Sequence, residues 1–421
     1  MPKKSINTYE NRLMLLLFFT VGFVFFDRLS INFLFPFMRA EFGLTNARIG
    51  MLTSALALTW AVSGFALATW AENLNRRKPI LIISVIVFSV CSLGSGLAST
   101  FLALMMARAV MGLAEGPVLP ISQSLMGFSS TESRRGFNMG LVQASAAGLL
   151  GAVLAPMVVV PLATAYGWRT TFFVAGIPGL IIALFLVKYL SKPNALPRAA
   201  AAPLEALPAP SLRHMVRQRN IALCLMISCL MITWFVALMT FTPIYLMENR
   251  GFAPGDMGLL MTVLGVSSVI SGFAVPAISD RIGRKPTMIF FAAVAVAVPL
   301  VLVYAQTSLP VLGALLFLSY FGYGCFPLFV STIPAETVGI AHAGRAIGLV
   351  MGVGEVVGGV LAPMIEGNAA DHYGAAAPFL IASAAAAAAA LLSCALKATA
   401  SFKTLPTAQI VPESVAVTAR I

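Results

Sequence analysis

Apolar stretches of about twenty residues, each long enough for a helix to cross the hydrocarbon core of a bilayer, follow one another from Leu13 to the alanine-rich run near Ala390. In hydrocarbon every backbone N–H and C=O must find its partner within the protein, so such stretches fold as helices packed on one another. Their approximate limits are 13–37, 48–70, 79–98, 101–127, 137–161, 169–190, 220–247, 256–278, 287–305, 309–334, 345–367 and 376–396. The expected fold is an all-α membrane protein of twelve transmembrane helices. Only 10% of the residues are charged, whereas the surface of a soluble chain needs about a quarter. Lys3, Lys4 and Arg12 precede a first apolar stretch too long for a signal peptide, with no small-residue cleavage site after it, so it reads as the first span.

The net charge of +12 does not point to nucleic acid, because no basic stripe is interleaved with aromatics on a soluble face. Its distribution instead sets orientation. Twelve spans put both ends of the chain on one side. On that side fall 21 of the 27 Lys and Arg residues, against four (Arg39, Arg48, Arg169, Arg250) on the other and two (Arg28, Arg108) inside spans. The excess marks a cytoplasmic side and a multi-pass protein of the cell's inner membrane with both termini inside. The five cysteines fall in apolar stretches without metal-ligand spacing, so neither metal nor cofactor is expected.

The two halves are related. Gly151-Ala-Val-Leu-Ala-Pro156-Met recurs as Gly358-Gly-Val-Leu-Ala-Pro363-Met, 207 residues later. The same offset maps Tyr166-Gly167 onto Tyr373-Gly374 and Phe172 onto Phe379. Six spans per unit make the two pseudo-repeats parallel, an arrangement that places substrate near the midplane between halves that rock around it. The expected organisation is a six-helix bundle over 1–190, a Pro- and Ala-rich cytoplasmic linker over 191–218, a second bundle over 219–397 and a tail over 398–421.

Charges inside spans carry the functional signal, since each costs about 2.5–3.5 kcal/mol at the bilayer centre and must face a partner or a wet cavity. Span 1 holds Asp27 and Arg28, span 4 holds Arg108 and Glu115, and span 11 holds Glu355. The first four balance, and Asp27 and Arg28 are expected to pair across to span 4. Arg108 and Glu115, seven apart, share a helix face with Gly112, which admits a close neighbour. Glu355 takes the place of Gly148 under the repeat and has no base within its own span. It is expected to be a second proton site or a protonated hydrogen-bond donor.

After span 8, Asp280-Arg281-Ile-Gly283-Arg284-Lys-Pro resembles the loop signature of the major facilitator superfamily, with Gly283 permitting a tight turn. The first-half counterpart, Glu72-Asn-Leu-Asn-Arg76-Arg-Lys, is degenerate. In that family these loops gate closure. Phe26-Asp27-Arg28 with Phe35-Pro36-Phe-Met38, Arg108-x3-Gly112-x2-Glu115-Gly116-x3-Pro120 and Gly167-Trp168-Arg169 resemble the anion:cation symporter family within that superfamily, over nearly the whole chain. The resemblance implies proton-coupled uptake of an organic anion, such as a sugar acid or carboxylate. Asp27 and Glu115 would then be the proton-linked carboxylates and Arg28 the group at the substrate carboxylate, with Trp60 and Gln143 lining the site. Trp234 and Tyr245 of span 7 are expected to close it from the other half. The implied partners are the anion, protons and the lipid bilayer, with the chain a monomer. A drug or metabolite exporter of the same fold is the alternative. Span 5 lacks the Gly-Pro-x-x-Gly-Gly run such exporters carry, and two arginines inside the spans favour an anion over a neutral sugar. No catalytic set argues for an enzyme.

Overall fold

The computed structural model describes residues 9–74, 76–131, 134–190, 212–339 and 342–398. The 191–211 part of the expected linker, the tail beyond 398, and the side chain of Glu72 lie outside the described residues. All described regular elements are helical. The spans are Tyr9–Phe42, Asn46–Asn73, Arg77–Leu97, Phe101–Ser129, Phe137–Tyr189, Arg219–Asn249, Pro254–Ile282, Arg284–Tyr304, Leu309–Val338, Ala343–Tyr373 and Ala377–Cys394. The fifth of these runs for 53 residues, about 80 Å of helix, more than twice the bilayer core. Gly167, at φ +81°, breaks it. It therefore holds spans 5 and 6, and the chain is a multi-pass membrane protein that crosses twelve times.

The internal repeat has a structural counterpart. Gly374, at φ +96°, separates spans 11 and 12 as Gly167 separates 5 and 6, at the same offset of 207. Both positions need the left-handed freedom of glycine. A Cβ on Gly151 would strike Phe25 in span 1, and a Cβ on Gly358 would strike Ile232 in span 7. Phe25 and Ile232 are again 207 apart, so spans 1 and 5 pack as spans 7 and 11 do. The matching segments Ala147–Leu154 and Glu355–Leu361 are both π-helical, a rare geometry concentrated at functional sites.

The halves touch at mid-depth and toward the face away from the chain ends, here called the far face. Ser54 Oγ donates to the Val360 carbonyl at 2.6 Å. Gly50 lies against the backbone of Pro363, and Gly265 against that of Ala152. At the far face Arg39 meets Glu248 at 2.6 Å. The Asp371 carboxylate of span 11 accepts from the backbone N–H of Asn46 and Ala47, both at 2.9 Å, capping span 2 from the opposite half. Toward the terminal face the picture changes. There the first half's core, from Leu13 through Leu81 and Leu125 to Leu190, draws on no residue of the second half. Described glycines of span 11 on that side, Gly344, Gly348 and Gly352, have open space where a Cβ would stand. The described structure is shut at the far face and parted at the terminal face.

Candidate functional site

Most of the intramembrane charges gather at one depth. Arg28, Glu115 and Glu355 each lie within three residues of the midpoint of their spans, as does Trp60. The local sequence explains how they converge. Span 4 breaks at Glu115-Gly116-Pro117, where the helix ends at Glu115 and restarts at Val118. Gly112 and Gly116 let it lie on span 2, their α-carbons facing Thr59, Ser63 and backbone carbonyls with no room for a Cβ. Ser63 Oγ donates to the Gly112 carbonyl at 3.1 Å. Trp60, on that same stretch of span 2, is thereby set beside span 1.

The structure corrects the expected pairing of Arg28 and gives Glu355 a base. Arg28 does not pair with span 4. Its Nη2 donates to Glu355 Oε1 at 2.9 Å, joining the two halves. The guanidinium also lies over the Trp60 ring, 4.9 Å from its centroid, a cation–π contact. Glu355 is therefore not solitary: its base comes from the other half, which no inspection within its own span could find. The side chains of this pair are 20% and 13% exposed, so both are reachable. The other three charges are sealed: Asp27 and Glu115 at 0% and Arg108 at 1%.

Those three are held differently from expectation. Asp27 Oδ1 accepts from Ser92 Oγ of span 3 at 2.6 Å, while its Oδ2 has no partner. Arg108 reaches span 1 as foreseen, but at backbone: its Nη2 donates to the Arg28 carbonyl at 3.2 Å. It thus fixes the backbone of the residue that carries the exposed charge. Neither carboxylate oxygen of Glu115 has a hydrogen-bond partner among the described residues.

The remaining candidates divide. Gln143 is exposed in a π-helical segment and lies 3.5 Å from Gln123 Nε2, a long contact that fixes little. Trp234 is not available as a lining residue. It is fully buried, its indole N–H donates to the Ala295 carbonyl at 2.9 Å and its ring stacks on Tyr320. An indole N–H must be satisfied when buried, and span 9 does so. Tyr245 is eleven residues further along span 7, about 16 Å at the helical rise. It packs edge-on against Phe379 and borders a small far-face cavity with Arg39 and Glu248, away from the mid-depth charges.

In the loop motif, Gly283 adopts φ +98° between spans 8 and 9. Arg284 gathers Asp280, Ser279 and Glu336, the last at 2.8 Å, all within the second half. Arg281 and Arg76 are exposed. In the first half Arg76 precedes span 3 at φ −112°, and Asn75, which stands where the motif has its glycine, lies outside the described residues. There Lys78 instead reaches the carbonyls of Val187 and Leu190. Arg284 and Glu336 are 10% and 1% exposed, so Arg284→Ala takes away a buried acid's ion-pair partner. Such a loss costs about 3 kcal/mol or more, and the melting temperature of the purified protein is expected to fall by several degrees, with Arg284→Lys intermediate.

Sequence reasoning missed Ser92, Glu336 and Glu366. Ser92 was hidden because serine is common in packed spans. Glu366 was legible as an acid inside the apolar stretch of span 11. It is 0% exposed with both oxygens unpartnered, beside Gly367, which meets the backbone of Asn46. His372 lies in the last turn of span 11.

The family model of the Major Facilitator Superfamily matches residues 17–363 and 223–412. A probable 4-methylmuconolactone transporter of Cupriavidus pinatubonensis is 29% identical over 81% of each chain. A probable sulfoacetate transporter of Cupriavidus necator is 26% identical over 88% of this chain and 89% of that one. A multidrug resistance protein of Enterobacter lignolyticus is 27% identical over 77% of each. The fold is shared with the crystal structure of a bacterial homologue of the human lysosomal transporter Spinster, with a TM-score of 0.74, 18% identity and coverage of 92% of this chain and 98% of that one.

Proposed function

We propose that this chain, which belongs to the Major Facilitator Superfamily, takes up a small organic anion together with protons by alternating access. The observation that carries the reading is the reachable Arg28–Glu355 pair at mid-depth, bridging the two halves. In the empty site Glu355 holds the place at Arg28 that a substrate carboxylate takes when it arrives. An incoming anion exchanges one carboxylate for another, so Arg28 is never left as an uncompensated intramembrane charge. Trp60 holds the guanidinium plane, Arg108 fixes its backbone, and Gln143 borders the path to the site.

Asp27 and Glu115 carry the coupling protons in this reading, Glu355 joining them when it leaves Arg28. Intramembrane carboxylates beside a substrate path are where proton relays occur. One oxygen of Asp27 and both oxygens of Glu115 have no hydrogen-bond partner among the described residues. The loop residues Glu72, Arg76, Asp280, Arg281, Gly283 and Arg284 govern closure of the terminal face. That face is cytoplasmic in the inner membrane, by the distribution of Lys and Arg. The chain acts as a monomer of two bundles, 1–190 and 219–397, joined by the 191–218 linker, with 398–421 as a cytoplasmic tail. The muconolactone and sulfoacetate transporters among its relatives favour organic anion uptake.

The test is transport by the purified protein in proteoliposomes. An outside-acid pH difference is expected to drive inward accumulation of a labelled carboxylate, and collapsing it with a protonophore should stop accumulation. Proton-driven movement of a cationic drug out of the compartment, with no carboxylate uptake, would assign the chain to export instead.

A further inference from the structure

The repeat that relates the halves also says what stands opposite Arg28. At the offset of 207, Asp27 corresponds to Trp234 and Arg28 to Phe235. The correspondence holds in space. Asp27 and Trp234 are both fully buried and both bond the third helix of their own half, through Ser92 and Ala295 respectively. Arg28 and Phe235 are both half-buried. Phe235 thus occupies in the second half the place Arg28 occupies in the first, at the same depth.

It is not alone there. The Phe235 ring lies 5.7 Å from Tyr323 and 5.8 Å from Phe326 of span 10. Tyr323 stacks on Tyr320 at 5.8 Å and 5°, and on Phe326 at 4.7 Å and 23°. The 3₁₀ geometry of Tyr320–Cys325 produces this row, because three residues per turn eclipse side chains at i and i+3. Tyr323 is within a residue of the midpoint of its span. Gly322 and Gly324 turn their α-carbons to Ala295 and Ser271, which leaves the face bearing Tyr320 and Tyr323 to span 7. The site is therefore asymmetric. At these equivalent positions the first half offers a cation laid on an indole and the second a ring, Phe235, with the second half's own charge, Glu355, set on span 11.

We infer that the substrate is a carboxylate on a flat aromatic or conjugated body, its carboxylate at Arg28 and its flat face against the Phe235–Tyr323–Phe326 row. A polyhydroxylated sugar acid would find on this row a single phenolic hydroxyl, that of Tyr323, for its several hydroxyls, whereas a planar π-system gains ring contact there. This rests on the reading of Arg28 as the anion site.

Three carboxylates serve as probes, each measured as a competitor and as a labelled substrate: benzoate, cyclohexanecarboxylate and gluconate. Benzoate is expected to bind best, the saturated ring of similar size to be about tenfold weaker, and gluconate weakest. Phe235→Leu and Tyr323→Leu keep bulk and remove the π-face. They are expected to shrink the preference of benzoate over cyclohexanecarboxylate by about tenfold, while Phe235→Tyr retains it. Gluconate bound as tightly as benzoate, with binding lost in Arg28→Ala, would overturn the aromatic class and leave the anion site standing. So would a benzoate preference unmoved by either leucine variant. Binding of all three unaffected by Arg28→Ala would overturn the anion site itself, and this inference with it.

Discussion

Replacing Arg28 by alanine is expected to weaken carboxylate binding about a hundredfold, while replacing its partner Glu355 by glutamine strengthens it. Hydrogen bonds to a charged group contribute about 1.5–3 kcal/mol, and each 1.4 kcal/mol is a factor of ten. Arg28→Ala removes that interaction and strands Glu355 at 13% exposure. Glu355→Gln removes the internal competitor, so an anion finds Arg28 unengaged and its Kd falls by roughly tenfold on the same scale. Net uptake by Glu355→Gln is nevertheless expected to slow, because the empty carrier must now reorient with Arg28 uncompensated. Arg28→Lys recovers a charge but not the planar fork that lies over Trp60, and should restore binding in part. Equilibrium binding to detergent-solubilised protein measures all three. Equal losses in Arg28→Ala and Glu355→Gln would mean that the pair is a static brace between the halves.

The second large effect is expected at Glu115. Glu115→Gln should abolish accumulation driven by a pH difference, while exchange of labelled for unlabelled anion continues. A one-unit difference is worth about 1.4 kcal/mol per proton, enough to sustain about tenfold accumulation for one proton per anion. In the variant the ratio of inside to outside anion should settle near one. Glutamine is nearly isosteric, so the packing of span 4 on span 2 through Gly112 and Gly116 is preserved, and a folding defect would show separately in the melting curve. Full accumulation by Glu115→Gln would remove this residue from coupling.

Much of the architecture was legible before any coordinate. Twelve apolar stretches, their parity and the 207-residue repeat follow from hydrocarbon length and from local identities, and the glycines at 167 and 374 take the matching turns that the repeat implies. Site residues were legible as a set but not as pairs. A charge inside a span announces that it needs a partner, yet the partner is chosen by helix packing. Arg28 and Glu355 are 327 residues apart, and no periodicity links span 1 to span 11. Trp234 misled for a related reason: its direction depends on a helix contact with span 9, which the aromatic character of the residue does not disclose. Phe235 stayed hidden for the opposite reason, since a phenylalanine in a span is unremarkable until its repeat partner proves to be the half-buried Arg28.

Asp371 supplies the start of span 2 with its cap, through the backbone N–H groups of Asn46 and Ala47. The donors are made more than three hundred residues before the acceptor. During synthesis span 2 therefore enters the membrane with only the local cap of Thr45, whose Oγ1 accepts from the Arg48 N–H at 3.2 Å, and its first two N–H groups wait for the eleventh span. An N-terminal half produced alone would keep the Thr45 cap but leave the Asn46 and Ala47 N–H groups unprotected against exchange, which addition of the C-terminal half as a separate polypeptide should repair. The same bonds that seal the closed face thus make the second half a late contributor to the folding of the first.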